Sequence, residues 1–232
     1  MQDRIDYLKI LIYGDTGTGK TWLAGSAAAV EELRPVLYAD FEDGVLSIRD
    51  RDVDLLPVRD YNDLREMSAL LQQPDPDDED SLKYKTVVID SLTELYQLNM
   101  EVQLRAEQRP QSVPELRDWL KCTQKMRRFL RHIRGLPIHF ITTCQARIIT
   151  DEVTGAISRG PDLPGKLAGQ VGHYFDIVGF LDASLDRGGE TVTRSLQVQP
   201  YKRVIAKDRS GVFELGIENP TMQKIYEEIN NE

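Results

Sequence analysis

Cysteine and histidine are scarce in this chain. Two cysteines, Cys122 and Cys144, and three histidines, His132, His139 and His173, are spread over 232 residues. No pair of them has metal-ligand or redox spacing, which argues against a zinc site and fits two core thiols in a reducing cytoplasm. Apolar runs of membrane-spanning length are also missing. The first nine residues carry Asp3, Arg4 and Asp6 where a signal peptide would have its apolar centre. The expectation is a soluble, cytoplasmic protein with no membrane partner. Positive charge is in deficit as well: 29 Lys and Arg stand against 38 Asp and Glu, a formal net charge of -9. That balance argues against coating nucleic acid by overall charge, yet leaves room for a local basic groove. Much of the excess lies in the run Asp-Pro-Asp-Asp-Glu-Asp at 75–80, whose composition suits a solvated linker across 74–82.

What the chain does have is one dense motif. Gly14, Asp15, Thr16, Gly17, Thr18, Gly19, Lys20 and Thr21 fill every fixed position of GxxxxGK[ST], directly after the apolar run 8–13. Glycines let a backbone curl so that successive N–H groups face phosphate oxygens, and the helix starting near Lys20 adds its positive end. In such a loop Lys20 reaches the β- and γ-phosphates and the Thr21 hydroxyl ligates Mg²⁺. An Ala-rich helical stretch at 22–30 follows. The motif therefore has the strand-loop-helix context that a phosphate-binding loop needs.

Downstream, residues 35–40 read as a second buried strand, ending in the acidic turn Asp40-Phe41-Glu42-Asp43-Gly44. Residues 55–58 read as a short edge strand and 61–72 as a helix. A third buried strand, 86–91, ends in Asp90-Ser91. Asp90 is the expected magnesium-side carboxylate near Thr21, or else a cap for the helix over 92–106. A long helical pattern follows at 113–134, with Leu116, Leu120, Thr123, Met126 or Arg127, Leu130 and Ile133 on one face. Arg117, Lys121, Lys125, Arg128 and His132 lie on another, either as a solvated face or as a track for a nucleic-acid backbone. Residues 137–143 read as a fourth strand running into Gln145, which can sense a γ-phosphate or cap a loop. Residues 146–164 form a long loop or projecting hairpin, and 165–173 a short helix. A fifth strand spans 174–181; 193–199, 201–206 and 212–215 read as antiparallel strands, 207–211 as a charged turn, and 220–230 as a terminal helix. The fold class is α/β, with a mostly parallel central sheet, helices on both faces and antiparallel strands at the C-terminal edge. A single domain over 1–232 accounts for the length.

With these signals in order, nearly the whole chain resembles the RecA-type recombinase core. It is most similar to the short, core-only phage proteins thought to act as single-strand annealing or recombination ATPases. The resemblance implies a P-loop NTPase of RecA type using ATP and Mg²⁺. Glu42, in the Asp40-Phe41-Glu42 context, would orient and deprotonate the attacking water. Asp90-Ser91 would be the Walker B pair, and Gln145 the glutamine linking the γ-phosphate to a DNA-binding loop at 146–164. Gly165-Lys166-Leu167-Ala168 resembles the short helix that follows. Lys207 and Arg209 match a basic pair that reaches the nucleotide of a neighbouring subunit, or form only a surface turn. Arg147, Arg159 and Lys166 are the candidate contacts to single-stranded DNA, or merely solubilise the loop. The implied partners are single-stranded DNA, further copies of the chain in a ring or filament, and a single-strand DNA-binding protein; the implied place is the cytoplasm of a phage host. The sequence departs from the family at two points. It opens on the P-loop strand, without the N-terminal polymerisation segment of longer recombinases, and it carries Arg49 where the family stacks an aromatic on adenine. Two other readings remain open: a RecA-like motor of helicase or packaging type, and a nucleotide-switched binding module without DNA as ligand. A small-molecule kinase would need an arginine-rich lid, whereas Arg127, Arg128, Arg131 and Arg134 lie on a long helix.

Overall fold

The computed structural model describes residues 7–150, 154–185, 189 and 191–230. Residues 151–153 of the candidate loop, and the charged residues at 1–6, lie outside them. Strand β1 (Lys9–Gly14) is buried at all six positions. Its side chains alternate between two cores, as a period of two requires: Leu11 and Tyr13 enter one cluster, Ile10 and Ile12 the other. Helix α1 (Lys20–Gly25) follows, and a 3-10 turn over Ser26–Ala29 continues it. The Ala-rich pattern suggested a longer helix. Ser26 accounts for the change: its hydroxyl donates back to Leu23 O at 2.6 Å and accepts the Met222 N–H at 2.8 Å.

Next come β2 (Val36–Asp40), β3 (Asp54–Pro57), α2 (Tyr61–Leu70), β4 (Thr86–Asp90), α3 (Leu92–Ala106) and α4 (Leu116–Gly135). The second half holds β5 (His139–Thr150), β6 (Ile157–Pro161), α5 (Leu167–Gln170), β7 (Ile177–Leu185) and β8 (Val192–Gln197). It closes with β9 (Lys207–Asp208), β10 (Gly216–Glu218) and α6 (Met222–Asn230). The strands join in the order β10-β8-β7-β1-β5-β4-β2-β3, with β6 paired to β5 and β9 to β7. Every pairing from β3 to β7 is parallel, and β8 and β10 add antiparallel pairings at one edge. The cluster on one face takes residues of α2, α3 and α4, and the other takes residues of α1 and α6. Cover on both faces is why β2 and β4 are apolar almost throughout. The expected α/β architecture is present. Among the described residues no helix is long and apolar enough to cross a membrane.

Four expectations need correction. The fourth strand does not stop at 143: β5 runs to Thr150, because from Ala146 onward it exchanges its parallel neighbours for β6 in an antiparallel hairpin. Helix α4 buries Asp118, Cys122, Met126, Leu130 and Ile133, while Leu116 and Leu120 stay exposed. Its first turn is fixed by the Asp118 carboxylate, which accepts from Arg109 at 2.8 Å and from the Glu115 N–H at 2.9 Å, and this rotates Leu116 outward. Residues 201–206 form a turn in place of a strand. The Gln197 amide donates to Gln199 O at 2.8 Å and Tyr201 O at 3.0 Å, and Lys202 and Arg203 adopt φ of 48° and 60°. The last strand falls at Gly216–Glu218 and not at 212–215.

The pattern places one titratable group where burial decides its charge. His139, at the start of β5, is buried, and its Nδ1 accepts the Leu8 N–H at 3.0 Å. Burial first, then the charges of Lys9 and Lys85, push its pKa down to about 4 from an ordinary 6.5. Between those values the unfolded chain binds more protons, so stability falls as pH drops through the window and is unaffected by this group above it. The full loss is on the order of 3 kcal/mol. His139→Asn, which keeps an acceptor, is expected to flatten the stability slope between pH 6.5 and 5 in urea unfolding; an unaltered slope would assign the acid sensitivity elsewhere.

Candidate functional site

The parallel strands end together at one edge of the sheet, and there the register aligns Gly14 with Gln145 and Asp40 with Asp90. Crevices outside strand C-termini are where open α/β sheets bind ligands. The loop 14–21 curls through Gly17 and Gly19 at φ of 82° and 99°. Gly14 is required for a different reason: a Cβ there would lie 2.3 Å from Leu181 O. Lys20 is nearly buried, and its Nζ donates to Gly14 O and Asp15 O at 3.0 Å each and to Gln145 Oε1 at 3.3 Å. Burial lowers the Lys20 pKa, and the nearby carboxylates of Glu42 and Asp90 counteract that fall.

Asp90 is 2% exposed and fully engaged. Its Oδ2 accepts from Thr21 Oγ1 at 2.7 Å and from Tyr38 OH at 2.6 Å, and its Oδ1 accepts from Thr143 Oγ1. Burial and this carboxylate together raise the Tyr38 pKa far above its usual range, so the phenol remains a donor. Ser91, not Asp90, caps α3, accepting the Glu94 N–H at 3.4 Å. Asp90 is thereby left beside Thr21, and a carboxylate with a hydroxyl is the donor pair that would hold a magnesium ion. Magnesium keeps waters and phosphate oxygens as its remaining ligands, so two protein oxygens suffice. Among the described residues no group of three or more His, Cys, Asp or Glu could hold a metal ion unaided.

Glu42 is presented by a turn that Asp40 builds. Asp40 Oδ1 accepts the N–H groups of Glu42 at 3.1 Å and Gly44 at 3.4 Å, and Arg59 neutralises its Oδ2 at 3.1 Å. The Glu42 carboxylate accepts from Ser91 Oγ, one residue past Asp90. Gln145 takes hydrogen bonds on Oε1 from Lys20 and, at 3.5 Å, from Thr16 Oγ1, while its carbonyl accepts the Asp162 N–H at 2.7 Å. Lys20, Thr21, Glu42, Asp90 and Gln145 therefore converge on the loop.

The basic candidates separate. Arg159 approaches Asp15 at 3.9 Å with its guanidinium 5.2 Å from the centre of the Phe180 ring. Arg147 faces Asp162 at 3.6 Å, and Lys166 is exposed before α5. Lys207 donates to Gly172 O at 2.8 Å and Phe175 O at 2.6 Å, and Arg209 pairs with Asp176 at 2.7 Å. Both belong to the start of β7, while the P-loop leaves the far end of β1. On α4, Lys121 pairs with Glu107, Arg117 with Glu115, and Lys125 donates to Gln103, so this part of the basic stripe is largely satisfied.

Several site residues escaped the sequence reading. Tyr38 and Thr143 are hydroxyls inside otherwise apolar strands, and that irregularity was a usable signal. Arg194 on β8 had none: its Nε donates to Thr18 O at 3.0 Å, and a Cβ on Gly19 would lie 2.8 Å from it. Only the fold brings this arginine onto the loop.

No curated protein matches this chain. A solved structure similar to it is the flagellar accessory protein FlaH from Methanocaldococcus jannaschii, 13% identical, covering 91% of this chain and 84% of that one at a TM-score of 0.47. The AAA domain family profile matches residues 6–210. With a complete P-loop motif beside the buried Asp90 carboxylate on a mostly parallel sheet, the chain belongs to the AAA domain family of P-loop ATPases.

Proposed function

We propose that this protein hydrolyses ATP while bound to single-stranded DNA and promotes homologous recombination by annealing or strand exchange. The observation that carries the reading is Gln145. Its side chain accepts from the P-loop lysine, and its backbone continues without a break into the β5–β6 hairpin that bears Arg147 and Arg159. A group that touches both a γ-phosphate position and a projecting loop is suited to make DNA affinity depend on nucleotide state.

In this reading Lys20 and the loop N–H groups hold the triphosphate. Magnesium, held by Thr21 and Asp90, would neutralise charge on the β- and γ-phosphates. Glu42, held by the hydrogen bond from Ser91 Oγ, would accept the proton of the attacking water. Gln145 is released from Lys20 or retained according to whether the γ-phosphate is present. Arg147, Arg159 and Lys166 take DNA phosphates. Lys207 and Arg209, remote from their own P-loop, would serve a neighbouring copy of the chain, which makes hydrolysis depend on assembly.

ATP turnover with and without single-stranded DNA is the direct test. Stimulation by single strands is expected, and turnover indifferent to DNA would sink the recombination reading and favour a nucleotide switch. Lys20→Ala is expected to lose nucleotide binding. Glu42→Gln should retain it while turnover drops by about a hundredfold or more, read in single-turnover hydrolysis. Arg209→Ala is expected to bind ATP normally and lose stimulated turnover on the order of a thousandfold. Normal stimulated turnover in Arg209→Ala would remove the trans assignment.

A further inference from the structure

The turn at 201–203 is the least expected cationic feature of the chain. Tyr201, Lys202 and Arg203 are all exposed, in a protein with a formal net charge of -9. Among the described residues no carboxylate forms a salt bridge with Lys202 or Arg203; the Lys202 ammonium instead lies 5.3 Å from the centre of the Tyr201 ring. Both basic residues hold positive φ, a conformation that L side chains rarely adopt. Two consecutive residues persist there only when their surroundings over-determine the backbone.

Those surroundings are specific. The Arg159 N–H donates to Arg203 O at 2.9 Å, and the Ile205 N–H donates to Arg159 O at 2.9 Å, so the turn is stitched to β6. Tyr13 OH, one residue before Gly14, donates toward Ile205 O at 2.8 Å and Arg159 O at 3.1 Å. Between turn and hairpin runs an open groove of about 340 Å³, lined by Ile148, Ile157, Arg159, Lys202, Arg203 and Val204. Ile148 and Ile157 are exposed along it.

We propose that this groove is a binding surface for single-stranded DNA, with Lys202 and Arg203 taking backbone phosphates and Tyr201 stacking on a base. The proposal rests on the DNA reading above and extends it from the hairpin to a second, separate segment. Charge complementarity selects the occupant: three cations border the groove, and an exposed aromatic beside them suits unpaired bases. Exposed apolar groups on the groove floor offer contact to base faces.

The test measures binding of a fluorescent single-stranded oligonucleotide to the full chain in the presence of ATP, across a salt series. Lys202→Gly with Arg203→Gly deletes both charges while glycine accepts positive φ, so the fold is retained; thermal unfolding checks this. The double variant is expected to bind about tenfold more weakly, with a salt slope shallower by about 1.4. Tyr201→Ala is expected to weaken binding by about fivefold or more with the slope unchanged. Arg65→Ala on α2 with Lys224→Ala on α6 removes the same charge elsewhere, at two exposed residues, and should leave affinity near wild type. Wild-type binding with an unaltered affinity and slope in the glycine variant would overturn the groove and leave the DNA reading standing. An equal loss in the Arg65 and Lys224 variant would overturn it too, by assigning the effect to overall charge. Failure of the wild-type chain to bind any single strand would overturn the DNA reading and the groove together.

Discussion

A buried carboxylate is the constraint on which this structure depends. An ionised Asp90 at 2% exposure would be prohibitively unstable without partners, and it has three hydroxyl donors from three different elements: Thr21 on α1, Tyr38 on β2 and Thr143 on β5. Removing one donor from such a group typically costs about 1–3 kcal/mol. These bonds do more than stabilise. They fix the first turn of the P-loop helix against the end of β4. In the proposed reading, fold stability and nucleotide chemistry are requirements on the same carboxylate.

A second consequence follows from where β5 sits. Lying between β1 and β4, it supplies Thr143 to Asp90 and, two residues later, Gln145 to Lys20. It then leaves the parallel sheet and becomes one arm of the hairpin. One continuous strand thus passes Asp90, the P-loop lysine Lys20 and the projecting hairpin in eight residues' span. The antiparallel ladder with β6 keeps the strand extended beyond the point where its parallel neighbours end. That geometry makes the glutamine part of a stiff element and not of a loose connection.

The sequence made the central features legible because they are local. The P-loop is a contiguous pattern, and the buried strands announce themselves as apolar runs ending in acids, so Lys20, Thr21, Glu42, Asp90 and Gln145 could be named and are found together. What stayed hidden was non-local. Leu116 and Leu120 fit a helical stripe by spacing, and only the Arg109–Asp118 pair, nine residues apart, rotates that turn outward. Arg194 reaches Thr18 across 176 residues, which no local pattern encodes. The turn at 201–203 reads as a strand by composition, since β propensity says little where side-chain hydrogen bonds to backbone carbonyls take over.

The same non-local contacts decide how the nucleotide site and the cationic groove relate. Tyr13 is fully buried, and burial raises its pKa well above the usual phenol range, so its hydroxyl remains a proton donor to the carbonyls of Arg159 and Ile205. Its ring lies 5.3 Å from that of Phe180, whose ring centre is in turn 5.2 Å from the Arg159 guanidinium. The residue that precedes the P-loop is therefore packed into the unit that carries the hairpin arginine and the turn beyond it. Close-packed interiors have low compressibility, so a displacement at one packed residue is passed on to its neighbours. A shift of Gly14 or Asp15 on nucleotide exchange would then be passed to the groove as a change in its position, without requiring any separate hinge. In the proposed reading, the junction at Tyr13, whose hydroxyl donates to the carbonyls of both Arg159 and Ile205, is then the link between the P-loop and the basic surface.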